Sequence, residues 1–193
     1  DIPLQITFID TPGYGDDLAL SKGFRKISQY IDDRFMRALK REEQEGRYVR
    51  NADADGMDGL VDVVLYFIAP HRFKGMDIQF LRHIQGRASI IPILAKADTM
   101  TQDELAEFKE EVSNRLKRER IHIYKGPFAV INGMTRTISE EDLGGRTYPW
   151  GRAESENECH SDLPALRRCL ITEGLCELRR SGYVHYAKFR QRA

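Results

Sequence analysis

The 193-residue chain has no net charge and no long apolar run, and each of these absences excludes a class of protein. Its 30 Lys and Arg balance 30 Asp and Glu, so it has no chain-wide positive field for wrapping nucleic acid. No apolar stretch approaches the ~20 residues that span a bilayer. At 41% hydrophobic residues the chain can still bury an ordinary core, which excludes a disordered protein. The composition predicts one globular domain with no nucleic acid among its partners.

Cysteine is also scarce, at three residues: Cys159, Cys169 and Cys176. An odd number is typical of the reduced thiols of a cytoplasmic protein. Cys169 and Cys176 are seven residues apart, which is a helical spacing. No second Cys/His pair follows Cys159 and His160 at the spacing of zinc ligands. We therefore expect unliganded thiols.

Apolar runs alternate with amphipathic stretches along the chain. Strands are predicted at 4–9, 61–69, 90–95 and 128–131, and helices at 22–45, 76–85, from 101 onward, at 161–173 and at 175–190. Thr101 and Glu104 form the capping box of the third helix. The run at 61–69 is almost continuously apolar, which is typical of a strand buried on both faces. The alternation predicts an α/β fold: a mainly parallel sheet covered by helices on both faces.

Two polar tetrapeptides directly follow predicted strands: Asp10-Thr11-Pro12-Gly13 and Ala95-Lys96-Ala97-Asp98. Ligands of open α/β sheets bind beyond the carboxyl ends of the strands. A carboxylate at Asp98 can accept hydrogen bonds from the N1–H and the exocyclic amine of guanine, which adenine does not offer. Lys96 can lay its aliphatic stem along the base. The second motif therefore indicates a guanine-reading loop.

The first motif suits the phosphate end of the same ligand. Asp10 can hold Mg²⁺, directly or through water. The backbone N–H of Gly13 can approach a γ-phosphate because no Cβ intervenes. The two motifs, in this order and at the ends of predicted parallel strands, indicate a guanine-nucleotide site better than either does alone.

With these motifs and others further along, the sequence resembles the septins, a family of filament-forming GTPases. The matching strings lie at 10–16, 30–35, 66–70, 95–98, 145–151 and 160–163. The string Gly-Arg-Thr-Tyr-Pro-Trp-Gly at 145–151 is the most specific, because it belongs to an element that septins carry and small GTPases lack. The resemblance implies that Arg146 lies against the guanine base. It also implies that Trp150 lies at the subunit interface formed across the nucleotides.

The resemblance covers nearly the whole chain and implies a septin-type GTPase domain at 1–193. The implied fold is a P-loop NTPase-like three-layer sandwich with a mainly parallel sheet, a β-meander at 136–151 and C-terminal helices at 161–193. After the strand at 128–131, Asn132 stands where septins offer a glycine amide to the guanine O6. A backbone N–H can come from Asn as well, so Asn132 and the following Gly133 are further candidates for binding the base.

Two departures from the septin pattern concern the phosphates. The phosphate loop Gly-x-x-x-x-Gly-Lys-Ser/Thr is absent, and no Gly-Lys dipeptide occurs in the chain. Septins place that loop before the strand that opens this sequence, so we expect an N-terminally incomplete domain. Ras-like enzymes orient the attacking water with a Gln directly after the motif glycine, and this chain has Tyr14 there. The second departure predicts slow hydrolysis or dependence on a neighbouring subunit, with Thr11 and Gly13 as candidate catalytic residues.

The segment at 71–74 corresponds to a septin loop that reaches across the interface toward the partner's nucleotide. Arg72 is therefore a candidate arginine finger acting in trans, and His71 a candidate interface residue. The alternative is that Arg72 is an ordinary solvated loop arginine.

The resemblance implies GTP or GDP and Mg²⁺ as cofactors. It implies other septins or a second copy of this chain as partners, in a cytoplasmic, cytoskeletal filament. Basic residues at 115–125 and 175–193 leave open a contact with anionic membranes, against the alternative of solvated helix ends or filament contacts. Two functions remain open: a subunit that binds and slowly hydrolyses GTP to control filament assembly, or a non-catalytic scaffold that holds nucleotide as a structural element.

Overall fold

The computed structural model describes residues 4–11, 17–44, 59–133 and 144–193. The helices are α1 (Asp17–Gln44), α2 (Gly75–Ile84), α3 (Gln102–Arg118), α4 (Leu163–Arg167) and α5 (Leu175–Arg190). The strands are β1 (Val63–Ile68), β2 (Ser89–Ala95), β3 (Phe128–Val130), β4 (Gly145–Tyr148) and β5 (Gly151–Glu154). Within these ranges, every helix is too short or too polar to cross a lipid bilayer.

The first three strands form one parallel sheet in the order β1-β2-β3. In its first ladder, Val63 is opposite Ser89 and Ile68 is opposite Leu94. Parallel neighbours need long crossovers, and α2 and α3 supply them. All residues of β2 from Ser89 to Leu94 are buried, as expected for a central strand between two layers.

A hydrophobic core lies on each face of β2. Ile90 and Leu94 belong to the larger core, to which α1, α2, α3 and α5 contribute side chains. Ile91 and Ile93, on the opposite face, pack in a smaller core with Leu166 of α4. Helices on both faces of a parallel sheet make the three-layer α/β arrangement predicted from the sequence.

The predicted strand at 4–9 is wrong. The described residues 4–11 have no regular secondary structure, and their apolar side chains are at least 45% exposed: Leu4, Ile6, Phe8 and Ile9. Strand propensity reflects how a segment fits a partly buried, pleated surface. An apolar pattern is therefore not enough to form a strand, and the described sheet provides no partner strand for this segment.

The prediction that the strand at 61–69 is buried on both faces is also wrong. Tyr66 and Ile68 are buried in the larger core, whereas Phe67 on the opposite face is 60% exposed. The reason is that β1 lies at an edge of the described sheet, and Val63 and Leu65 only border the smaller core.

The helix signals at 101–104 are confirmed. Thr101 is the N-cap of α3, and its hydroxyl accepts a hydrogen bond from the Glu104 N–H at 3.3 Å. The Glu104 carboxylate accepts in return from the Thr101 N–H at 2.8 Å. This capping box satisfies two N–H groups that the first turn cannot pair.

The C-terminal region differs from its prediction in detail. Strands β4 and β5 form an antiparallel hairpin that reaches Glu154, and residues 136–143 of the predicted meander lie outside the described ranges. Helix α4 continues as a π-helical segment, Arg168–Glu173, before α5 begins. Cys169 in this segment is buried, while Cys159 and Cys176 are exposed, and all three are free thiols.

Candidate functional site

Three loops leave the sheet at one edge, because β1, β2 and β3 are parallel. The loop after β1 carries His71 and Arg72, and the loop after β2 carries Lys96 and Asp98. The loop after β3 carries Asn132, which is exposed, and Gly133. The predicted base-binding residues therefore gather at the carboxyl edge of the sheet.

A tight turn fixes the position of Asp98. Lys96 adopts a left-handed conformation, φ 54° and ψ 46°, and a single 3₁₀ turn, Ala97–Thr99, follows it. The Thr99 backbone N–H and hydroxyl both donate to the Lys96 carbonyl, at 3.0 and 2.8 Å. Lys96 is exposed at this turn, whereas the side chain of Asp98 is only 1% exposed. The turn thus directs the carboxylate inward and leaves the lysine at the surface.

The two oxygens of the Asp98 carboxylate differ in their hydrogen bonding. Its Oδ2 accepts a hydrogen bond from the Tyr148 hydroxyl and lies 3.6 Å from Nη1 of Arg146. Its Oδ1 is buried and has no hydrogen-bond partner among the described residues. Burying an acceptor without a donor is costly, so such an atom calls for an explanation. Oδ1 is the acceptor that this site can offer to a ligand with N–H groups.

The hairpin β4–β5 brings Arg146 and Tyr148 to Asp98. The two residues are two positions apart in β4, so their side chains leave the same face of the strand. Gly145, which precedes them, has φ +141°, and an added Cβ would lie 2.1 Å from the Ala153 carbonyl oxygen. A glycine is therefore needed where β4 meets β5.

Gly133 lets the loop after β3 approach this hairpin closely. A Cβ added at Gly133 would lie 2.8 Å from Oγ of Ser155 and 2.9 Å from the Gly145 nitrogen. The β4–β5 hairpin thus contacts Asp98 in the loop after β2 and packs closely against Gly133 in the loop after β3.

Trp150 lies at the tip of the hairpin and is 70% exposed. Its ring stacks on Tyr148 with 4.7 Å between centroids and 7° between planes. Tyr148 thus contacts the buried carboxylate through its hydroxyl and the exposed indole through its ring.

The turn after β1 is anchored on both sides of Arg72. The Arg72 N–H donates to the Ala69 carbonyl at 3.1 Å, and the His71 ring lies 5.8 Å from the ring of Phe108. Phe73 is buried, and its carbonyl accepts from Nη1 of Arg115 at 2.5 Å. His71 and Arg72 are nevertheless exposed.

Of the predicted phosphate-side residues, the structure describes Asp10 and Thr11. Asp10 and Thr11 are exposed in the segment 4–11, and Gly13 lies outside the described residues. The described ranges contain no group of three or more side chains that could hold a metal ion. A single exposed carboxylate fits Mg²⁺ only where phosphate oxygens and water provide most of its ligands.

Sequence reasoning missed Tyr148, Ser161 and Asp162. Ser161 accepts from the Ile131 N–H at 3.2 Å, and the Asp162 carboxylate accepts from the Ala129 N–H at 2.7 Å. Asp162 thus bonds the backbone of β3 itself, and Ser161 bonds the backbone of the residue directly after β3. The signal for Tyr148 was its period-two spacing from Arg146, whereas the strand-edge role of Ser161 and Asp162 depends on contacts distant in sequence.

Known proteins resemble this chain along its full length. The septin family profile matches residues 1–128 and 125–193. Septin-10 of Mus musculus is 32% identical over 99% of this chain, and Septin-2 of Drosophila melanogaster is 31% identical over all of it. Protein peanut of Drosophila melanogaster is 34% identical over 99%. This chain covers 46%, 50% and 39% of those relatives, about half their length or less.

A solved structure confirms the fold. The septin GTPase domain from Chlamydomonas reinhardtii superposes with a TM-score of 0.78 at 29% identity, over 94% of this chain and 73% of that one. The profile spans the whole chain, and the likeness in structure extends over almost the same residues. The chain belongs to the septin family.

Proposed function

We propose that this septin binds GTP and GDP, with Asp98 reading the guanine base. The observation that carries the proposal is the buried Oδ1 of Asp98, which has no partner among the described residues at the carboxyl edge of the sheet. Guanine presents two adjacent N–H donors that suit a carboxylate, and Lys96 and Arg146 can flank the ring. Asn132 and Gly133, after the neighbouring strand, can offer backbone N–H groups to the O6 atom.

The phosphates and Mg²⁺ are assigned to the segment at 10–13. Asp10 would hold the ion, directly or through water, with Thr11 and Gly13 near the γ-phosphate. When bound, the ion neutralises charge on the phosphate oxygens. The exposure of Asp10 supports the assignment, since the carboxylate is accessible to a hydrated ion.

We further propose that the full-length protein hydrolyses GTP slowly and assembles through interfaces formed across the nucleotide. Arg72 would stabilise charge on a partner's γ-phosphate, and His71 and Trp150 would contact that partner. All three side chains are exposed near the candidate site, which supports these roles. Release of phosphate by the full-length protein separates this function from that of a non-catalytic scaffold that retains nucleotide.

The proposed setting is a cytoplasmic, cytoskeletal filament of septins or of copies of this chain. The basic residues at 175–193 also serve the fold, because Arg190 pairs with Glu42 of α1 at 3.0 Å. Contact with an anionic membrane through the remaining basic residues stays a prediction.

Replacing the base-reading carboxylate tests the proposal. In the full-length protein, Asp98→Asn should weaken GDP binding by roughly a hundredfold, since hydrogen bonds to charged groups contribute about 1.5–3 kcal/mol each. The amide offers one acceptor and one donor, which match the N1–H and the C2 carbonyl of xanthine. Xanthosine diphosphate should therefore bind the variant better than it binds the wild type, as measured by calorimetry.

Tighter binding of xanthosine diphosphate would show that the Asp98→Asn variant is folded, because an unfolded chain would bind neither nucleotide. Asp103→Asn, at an exposed carboxylate in the first turn of α3, is the matched control and should leave both affinities unchanged. Equal binding of GDP to the wild type and to Asp98→Asn would contradict the proposed site.

A further inference from the structure

Asp98 is covered as well as buried. Its side chain is 1% exposed, and the Tyr148 hydroxyl and the Arg146 guanidinium lie over Oδ2. A guanine base contacts a carboxylate along the edge that carries both oxygens. In this arrangement the base reaches that edge only when the side chain of Tyr148 moves aside.

The two partners of Asp98 differ in how firmly they hold it. Tyr148 makes a hydrogen bond to Oδ2, whereas Nη1 of Arg146 lies 3.6 Å from the same atom, beyond a normal hydrogen bond. The Arg146 side chain is about one-third exposed, and its buried Nε has no hydrogen-bond partner among the described residues. Tyr148 is therefore the group with which an incoming base competes.

Movement of Tyr148 also disturbs its contact with Trp150, because the two rings stack almost parallel. Offset aromatic pairs contribute about 0.5–1.5 kcal/mol beyond their buried area. Trp150 is exposed, so the outer end of this pair is free to contact another molecule. One tyrosine thus connects a buried acceptor with an exposed indole.

We infer that Tyr148 is a positioning residue that competes with guanine for Asp98 and transmits base binding to Trp150. The inference rests on the proposed guanine site and adds its regulation. Coupling between two sites is reciprocal. A binding partner that holds the Trp150 ring away from Tyr148 should therefore also raise the affinity of Asp98 for the base.

Tyr148→Phe tests the competition, because it removes the hydroxyl and keeps the stacked ring. Calorimetry on the full-length protein should show GDP binding tightened by roughly tenfold, as the base no longer displaces a charge-assisted hydrogen bond. The emission of Trp150 should respond to GDP in the wild type and lose that response in the variant. Trp150→Phe identifies the part of the signal that belongs to Trp150.

A second measurement needs no variant of Tyr148. Acrylamide should quench Trp150 of the wild type differently with saturating GDP than without nucleotide, while ADP should cause no change. Unaltered quenching with bound GDP would overturn the coupling. Weaker or unchanged GDP binding by Tyr148→Phe would overturn the competition.

These failures differ from a failure of the proposed function. If the wild type binds no GDP, or if Asp98→Asn binds it equally well, the guanine site itself is wrong and the inference fails with it. If GDP binding depends on Asp98 but not on the Tyr148 hydroxyl, only the role of Tyr148 is wrong.

Discussion

Neighbouring residues in the turn after β1 fix the position of the exposed residue Arg72. Arg72 is exposed, but its backbone N–H is bonded to Ala69. Phe73 is buried, and the guanidinium of Arg115 lies 5.4 Å from the centre of its ring. Because backbone and neighbours are fixed, presenting the Arg72 side chain to a partner costs little besides its own rotamer freedom.

Arg72→Ala should slow GTP hydrolysis by the full-length protein, because an arginine that neutralises transition-state charge contributes roughly 10³-fold or more. GDP affinity should stay within about twofold, since the proposed contact is to a partner's γ-phosphate. The measurement is phosphate release under single-turnover conditions, at protein concentrations where subunits associate.

Arg37→Ala is the matched control for Arg72, because it removes an exposed arginine of α1, outside the segment at 71–74. Its hydrolysis rate should equal that of the wild type. An Arg72→Ala variant with an unchanged rate would show that this residue is an ordinary solvated arginine.

At the scale of secondary-structure elements, β3 depends on contacts from residues distant in sequence. It is only three residues long and pairs with β2 on one side. On its other side, the Asp162 N–H donates to the Ala129 carbonyl at 2.6 Å and the Asp162 carboxylate accepts from the Ala129 N–H. The same carboxylate lies 2.5 Å from Nζ of Lys109 on α3. Asp162 thus joins β3, α3 and the start of α4.

Asp162→Ala should destabilise the fold by about 1–3 kcal/mol, because the N–H of buried Ala129 loses its acceptor. Lys109→Met keeps that acceptor and removes only a partly exposed ion pair, so it should cost at most ~1 kcal/mol. Chemical denaturation of the two variants measures the difference. Equal losses would mean that the ion pair, rather than the strand-edge hydrogen bond, provides the stability.

Sequence patterns predicted the elements whose signals are local. The capping box of Thr101 and Glu104 marks the start of α3, and the predicted strand at 90–95 forms as β2. The segment at 4–9 has an equally apolar pattern but no partner strand in the described sheet. Strand formation depends on a neighbour that can be distant in the chain, so short apolar runs are poorly predicted from sequence alone.

The same distinction applies to the candidate site. Asp98 and Lys96 were identified because their motif is contiguous and follows a predicted strand. The contact between Tyr148 and Asp98 joins residues 50 positions apart, and no local pattern reports it. The motif therefore named Lys96 and Asp98 as candidates, whereas the contact of Tyr148 with Asp98 emerged only from the fold.

Among the described residues, the three most exposed large apolar side chains are Phe8 at 76%, Trp150 at 70% and Phe67 at 60%. Phe8 lies in the segment 4–11, and Phe67 lies on β1, at an edge of the described sheet. Trp150 lies at the tip of the β4–β5 hairpin. Isolated exposed apolar residues are normal at protein surfaces, whereas large apolar side chains exposed on an edge strand favour association between chains.

We therefore expect the 193-residue chain, without nucleotide, to self-associate mainly through residues 4–9 and β1. Phe8→Lys combined with Phe67→Lys should weaken this association by roughly tenfold or more in sedimentation velocity, since burying one Phe contributes about 1.5–3 kcal/mol. Trp150→Lys adds one charge at a comparably exposed aromatic residue and should leave it unchanged. If Trp150→Lys instead abolishes association and the double variant does not, chains without nucleotide associate through the hairpin, and the indole forms an interface that does not require guanine.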